Sequence, residues 1–168
     1  MKTIKLLFSV LCCILLLNGC ALKKPVVVKN APIETFKYAY ISPTNELTAG
    51  SGGTYGTGYG VYGAMTTKTV NPADLITGIL MKEGFVILPE LKPELAKETL
   101  IVTYGESGRR NLWGGVLGYT MEVTIQFLSA QTHEIICTCT AEGLGDTEAD
   151  DIRKAISRAL DGLFGEQK

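Results

Sequence analysis

The sequence predicts an α+β fold, a two-layer sandwich in which a mainly antiparallel sheet of about five strands carries two helices on one face. Three observations predict it. Residues 119–128 alternate apolar and polar side chains at period two, residues 134–142 repeat that alternation after a short turn, and two segments place apolar residues at three- and four-residue steps. Strand, helix, strand, three mostly antiparallel strands and helix follow one another along the chain. One sheet with both helices on a single face is the economical packing, leaving the other face to water.

The first strand is read at Thr35–Ile41, where Phe36, Tyr38 and Tyr40 occupy alternate positions. Glycine fills half of the positions from Gly50 to Gly63, interleaved with Tyr55, Tyr59 and Tyr62, a composition read as a mobile loop at about 45–70. Asn71-Pro72-Ala73-Asp74 is a strong helix start: an N-cap side chain, proline in the first turn and a carboxylate at the positive end of the dipole. Leu75, Ile76, Ile79 and Leu80 form the apolar stripe of that helix, and Gly84-Phe85 reads as its glycine stop. A short strand follows at Phe85–Leu88.

Another strand runs from Thr99 to Gly105 with Leu100, Val102 and Tyr104 on one side. Met121, Val123, Ile125 and Phe127 form the inward face of the next strand. Ile135, Cys137, Cys139 and Ala141 form that of the one after it, beyond a turn at Ser129–His133. Ile152, Ala155, Ile156, Ala159, Leu160, Leu163 and Phe164 mark the terminal helix, with Thr147 as its cap.

At the other end, Met1-Lys2-Thr3-Ile4-Lys5 precedes an apolar stretch of about 12 residues, Leu6–Leu17, and then Asn18-Gly19-Cys20. That is the order of an export signal. At ~1.5 Å per residue the apolar stretch spans roughly 18 Å, too little for a hydrocarbon core of ~30 Å. Leu17-Asn18-Gly19-Cys20 resembles the lipobox of bacterial lipoproteins, which implies cleavage before Cys20, a diacylglycerol thioether on its sulfur and an N-acyl chain such as palmitate. More than one such chain makes a durable membrane anchor. Every acidic residue lies after Cys20, and Lys23-Lys24-Pro25 opens a polar stretch there. The expected organisation is a signal peptide at 1–19, a lipidated tether at 20–33 and a single domain at 34–168.

The domain also resembles a group of small envelope lipoproteins of unknown function, through Phe36–Tyr40, Met81-Lys82-Glu83-Gly84-Phe85, Gly118–Phe127 and Thr147–Phe164. That resemblance brings no catalytic residues. In lipoproteins of two-membrane bacteria, Ala21 in place of an aspartate implies the outer membrane, and Ala21-Leu22-Lys23-Lys24, without an acidic run, implies the periplasmic face.

The formal net charge is −1, about −3 once Lys2 and Lys5 are removed, with no basic block, which argues against nucleic acid as a partner. Cys137 and Cys139 share one face of a strand, a poor geometry for a mutual disulfide. With one histidine in the chain no tetrahedral metal set assembles, so neither metal nor cofactor is expected beyond the lipid on Cys20. Gly58–Gly63 matches a dinucleotide fingerprint by letter, but the next helix begins too far on to hold a pyrophosphate. Asp146–Asp151 fails as a calcium loop at its glycine position. His133 sits in a turn, no triad assembles, and no pair of carboxylates stands out, so no catalytic residue is named.

The segment Glu106–Trp113, read as a loop, brings Arg109 and Arg110 beside the sole tryptophan, and Arg and Trp are enriched at binding hot spots. Arg109, Arg110, Trp113 and the three tyrosines are therefore the candidate binding residues, for an unknown envelope protein or glycan. The expected function is a noncatalytic, membrane-anchored binding or scaffold module. An envelope enzyme acting on glycan or peptide and a self-assembling structural subunit are the alternatives.

Overall fold

The computed structural model describes residues 22–44, 47–57, 60–112 and 118–165. Its eight described strands are β1 (Val26–Lys29), β2 (Tyr38–Ile41), β3 (Leu47–Thr57), β4 (Gly60–Val70), β5 (Val86–Ile87), β6 (Thr99–Asn111), β7 (Tyr119–Ser129) and β8 (Ile135–Gly143). The helices are α1 (Pro72–Lys82) and α2 (Glu148–Phe164), with short 3-10 segments at Ile33–Thr35 and Pro93–Glu98. Six strands form one open sheet in the order β1-β8-β7-β6-β2-β5. β1, β8, β7 and β6 pair antiparallel, while β2 runs parallel to both β6 and β5. The α+β two-layer architecture is as the sequence predicts.

The local signals work as their chemistry requires. The Asn71 side chain accepts from the Ala73 amide and caps α1. At the far end Gly84 takes φ +93°, a left-handed conformation, and the Phe85 amide returns to the Leu80 carbonyl at 3.0 Å. Thr147 caps α2 by accepting from the Asp150 amide. Met121, Val123, Ile125 and Phe127 of β7 are buried under α2, which contributes Ile152, Ile156, Leu160 and Leu163 to the same core. Cys137 and Cys139 are buried there too, their sulfurs 3.8 Å apart.

Four details differ from the sequence reading. Val26–Lys29, inside the stretch read as tether, is a sheet strand paired residue for residue with Thr140–Cys137 of β8. Residues 47–57 and 60–70, read as a mobile loop, form a long antiparallel hairpin in which each glycine of one strand pairs with a larger residue of the other, as in Gly52 with Met65 and Gly56 with Val61. The Thr and Val content of the return strand supplies β propensity that glycine counting hides. β6 continues through the Glu106–Asn111 stretch read as loop, accommodating Ser107 by an irregularity between Glu106 and Gly108. A second irregularity, between Phe127 and Leu128, exposes Ile135 and buries Ile136, reversing the expected inward residue.

β8 and α2 approach each other closely at Gly143. A Cβ built on Gly143 would lie 1.8 Å from the Asp151 carbonyl oxygen and 2.6 Å from the Ala155 nitrogen, both backbone atoms that cannot swing away. Gly143→Ala should therefore destabilise the domain by about 3 kcal/mol, the upper end of overpacking costs. Urea unfolding measures this, and a loss below about 0.5 kcal/mol, the range of a neutral surface change, would show that helix and strand can separate freely.

Candidate functional site

The most heavily bonded polar group among the described residues is Glu142, the penultimate residue of β8, whose side chain is 2% exposed. Its register partner on β7 is Glu122, so it points to the sheet face away from the helices. Arg110 of β6 lies two register pairs further along, opposite Thr120, and reaches across β7 to Glu142. The contact is bidentate: Arg110 Nε donates to Oε1 at 2.8 Å and Nη2 donates to Oε2 at 2.7 Å. Thr120, between them, is fully buried.

The other two donors come from the N-terminal segment. The Lys23 backbone amide donates to Glu142 Oε2 at 3.2 Å, and Lys23 Nζ stands 3.3 Å from Oε1. Each carboxylate oxygen thus meets two donors, which fills the acceptor capacity of an ionised carboxylate. Arg158 of α2 completes the assembly by donating to the Glu142 carbonyl through Nη1 and to the Lys23 carbonyl through Nη2, the latter at 2.8 Å.

Arg110 chiefly, aided by Lys23, holds the Glu142 carboxyl down to about 2 from its ordinary 4.5, against the opposing effect of burial. A group held ionised this firmly is unsuited to general acid catalysis.

Beside this cluster a cleft of about 170 Å³ is lined by Tyr119, Gly145, Asp146, Thr147, Glu148 and Asp151, among others. Arg109 pairs with Glu148 at its rim and lies over the Tyr119 ring, 5.0 Å from the centroid. Asp151 is nearly buried and accepts from the Gly145 amide, which fixes the turn into α2. Burial raises its carboxyl above the usual range. Further clefts lie elsewhere among the described residues. One of about 240 Å³ is lined by Ile33, Phe36, Phe85 and Phe164, and one of about 760 Å³ runs between β1 and the end of α2.

The residues singled out by sequence therefore part company. Arg110 is consumed by Glu142, while Arg109 stays exposed at the cleft rim. Tyr55 and Tyr62 are register partners on β3 and β4, distant in sequence from the cluster. Cys20, Tyr59 and Trp113 lie outside the described residues. His133 occupies a left-handed turn position, φ 62°, at the opposite end of the sheet. Among the described residues no group of three or more His, Cys, Asp or Glu side chains is placed to hold a metal ion, and no helix is long and apolar enough to cross a membrane.

No family model matches the chain, and no curated protein matches it. Among solved structures it is similar to PelC from Paraburkholderia phytofirmans. A variant dodecamer gives TM-score 0.47 at 15% identity over 84% of this chain and 98% of that one. A second PelC dodecamer gives 0.44 at 16% over 83% and 97%.

The sequence alone does not pair Glu142 with Arg110, because only the strand register brings them together across β7. Their role yields a pH prediction with a definite sign. A carboxyl whose folded pKa lies below its unfolded value stabilises above about 4.5, and that stability drains as pH falls toward 2. At ~1.4 kcal/mol per unit the contribution is about 3 kcal/mol at most. Asp151, shifted upward by burial, works in the opposite direction. Glu142→Gln should therefore lower stability at pH 7 and flatten its decline in acid. Denaturant titrations from pH 7 to 2 showing the same acid slope in both proteins would contradict this.

Proposed function

We propose that this chain is a bacterial lipoprotein, cut before Cys20 and anchored by the lipid on that cysteine. Its single domain serves in the periplasm, at the outer membrane, as a noncatalytic binding or scaffold module. The observation that carries the proposal is the sequence Leu17-Asn18-Gly19-Cys20 at the end of a basic and then apolar leader too short to span. A polar, two-lysine start to the remaining chain is consistent with it, and a Glu142 carboxylate fully occupied by cations supports a structural rather than a catalytic use of the best-built polar cluster. Arg109, with Trp113 and the tyrosines of the hairpin, remains the proposed contact set for a protein or glycan partner. Arg110 leaves that set because its guanidinium already serves Glu142.

A second reading, self-assembly through strand pairing, is favoured by one feature. β1 is an edge strand whose Val26 and Val28 are 58% and 50% exposed, an apolar edge of the kind folded proteins usually blunt. The size of the lipid-free domain at high concentration separates the readings: a strict monomer argues against assembly.

Cys20→Ala should abolish incorporation of an alkyne-tagged fatty acid and leave the uncleaved precursor, detected as a larger band. Undiminished labelling of that variant would overturn the anchoring reading.

A further inference from the structure

If Cys20 carries the anchor, the structure bears on how far the domain can stand from the membrane. Lys23 is held at three points: its amide and ammonium on Glu142, and its carbonyl on Arg158. Two residues on, Pro25 packs against α2 where Gly162 leaves room for it. A Cβ there would stand 3.0 Å from Pro25 Cβ and 3.4 Å from Val27 Cγ2. From Val26 onward β1 is registered on β8. The chain is thus fixed to the sheet from Lys23 onward, and the three residues from Cys20 to Lys23 span at most about 10 Å when fully extended.

That place is one particular end of the sheet. β1 enters beside the C-terminal end of β8, where Glu142 and Gly143 lie, and the Asn111–Tyr119 pair closes β6 and β7 at the same end. The β7–β8 turn is at the other end, an 11-residue strand away, or roughly 35 Å. Lys24 is exposed beside the entry point, a position suited to a lipid phosphate, whereas the Lys23 and Arg109 cations already face Glu142 and Glu148.

We infer that the Lys23–Glu142–Arg158 lock and the short link to Cys20 hold the Glu142 end of the sheet against the membrane, making that end a docking surface for a phospholipid bilayer. The inference rests on the anchoring reading. A free tether over residues 20–33 would allow a separation of about 45 Å and no fixed orientation; the lock removes that freedom.

The test uses the full chain, lipidated and reconstituted in phosphatidylethanolamine and phosphatidylglycerol vesicles that contain a gadolinium-chelating lipid. Asn111→Cys and Gln131→Cys, both exposed positions at opposite ends of the sheet, carry nitroxide labels, while the native Cys137 and Cys139 are fully buried. Relaxation enhancement at position 111 should exceed that at 131 by more than roughly tenfold, given the strand length between them. Ten Gly-Ser residues inserted between Ala21 and Leu22, outside the lock, should collapse the contrast, and so should Glu142→Gln. The insertion carries the test if the Gln variant fails to fold. Equal enhancement at both positions in the native chain would overturn the inference, as would a contrast that survives the insertion, or one that survives Glu142→Gln in a folded protein. Fatty-acid labelling of the same preparations separates this failure from that of the anchoring reading: no incorporation defeats both, whereas incorporation with equal enhancement defeats only the inference.

Discussion

The Glu142 carboxylate is where three parts of the chain are tied together. Placing an ionised carboxylate where only 2% of its side chain meets water costs several kcal/mol unless the charge is paired and its lone pairs are filled. β6 supplies Arg110 as a bidentate partner, and the segment before β1 supplies two further donors through Lys23. Removing any of them would leave a buried charge short of partners, so the arrangement fixes the N-terminal segment as firmly as it fixes the sheet. Arg158 adds the helix layer by bonding the carbonyls of the same two residues, Glu142 and Lys23.

Close packing makes that geometry reachable. α2 lies so near β8 that Gly143 has no room for a side chain, and so near the entry to β1 that Gly162 faces Pro25. Two glycines thus set the depth at which the helix sits, one on each side of the Glu142 cluster. The core of β7 and α2 supplies the hydrophobic stabilisation, and the glycines determine that the polar donors arrive within hydrogen-bond distance. The Cys137–Cys139 pair belongs to this apolar layer. Contact with Cys137, together with burial, pushes the Cys139 thiol well above its ordinary range, which makes it a small hydrophobe in this setting.

The fold was legible in the sequence wherever one face of an element is apolar and the other wet. β7 and both helices follow directly from periodicity, and Asn71, Gly84 and Thr147 mark their ends through local hydrogen-bond chemistry. The misreadings share a cause. Val26–Lys29 is short and flanked by lysines, the 45–70 stretch is dominated by glycine, and Glu106–Asn111 is polar throughout, so none advertises a buried face. Each is extended because a neighbouring strand satisfies its backbone, information that resides in the partner and not in the segment. Ile135 and Ile136 exchanged places because a bulge shifts parity by one residue, which no alternation pattern can register. The Arg110–Glu142 pair stayed hidden for the same reason: 32 residues separate its members, and only the register of β6 on β7 and β7 on β8 brings them together.

Amide hydrogen exchange at Lys23 tests the central claim most directly, because its backbone N–H donates to Glu142 and to no secondary-structure partner. In the folded protein this amide should exchange slowly although it precedes the first strand. In Glu142→Gln it should lose protection while the core amides of β7 retain theirs. A Lys23 amide that exchanges as fast as an unstructured one in the native protein would contradict the account, since the N-terminal segment would then be unattached to the sheet.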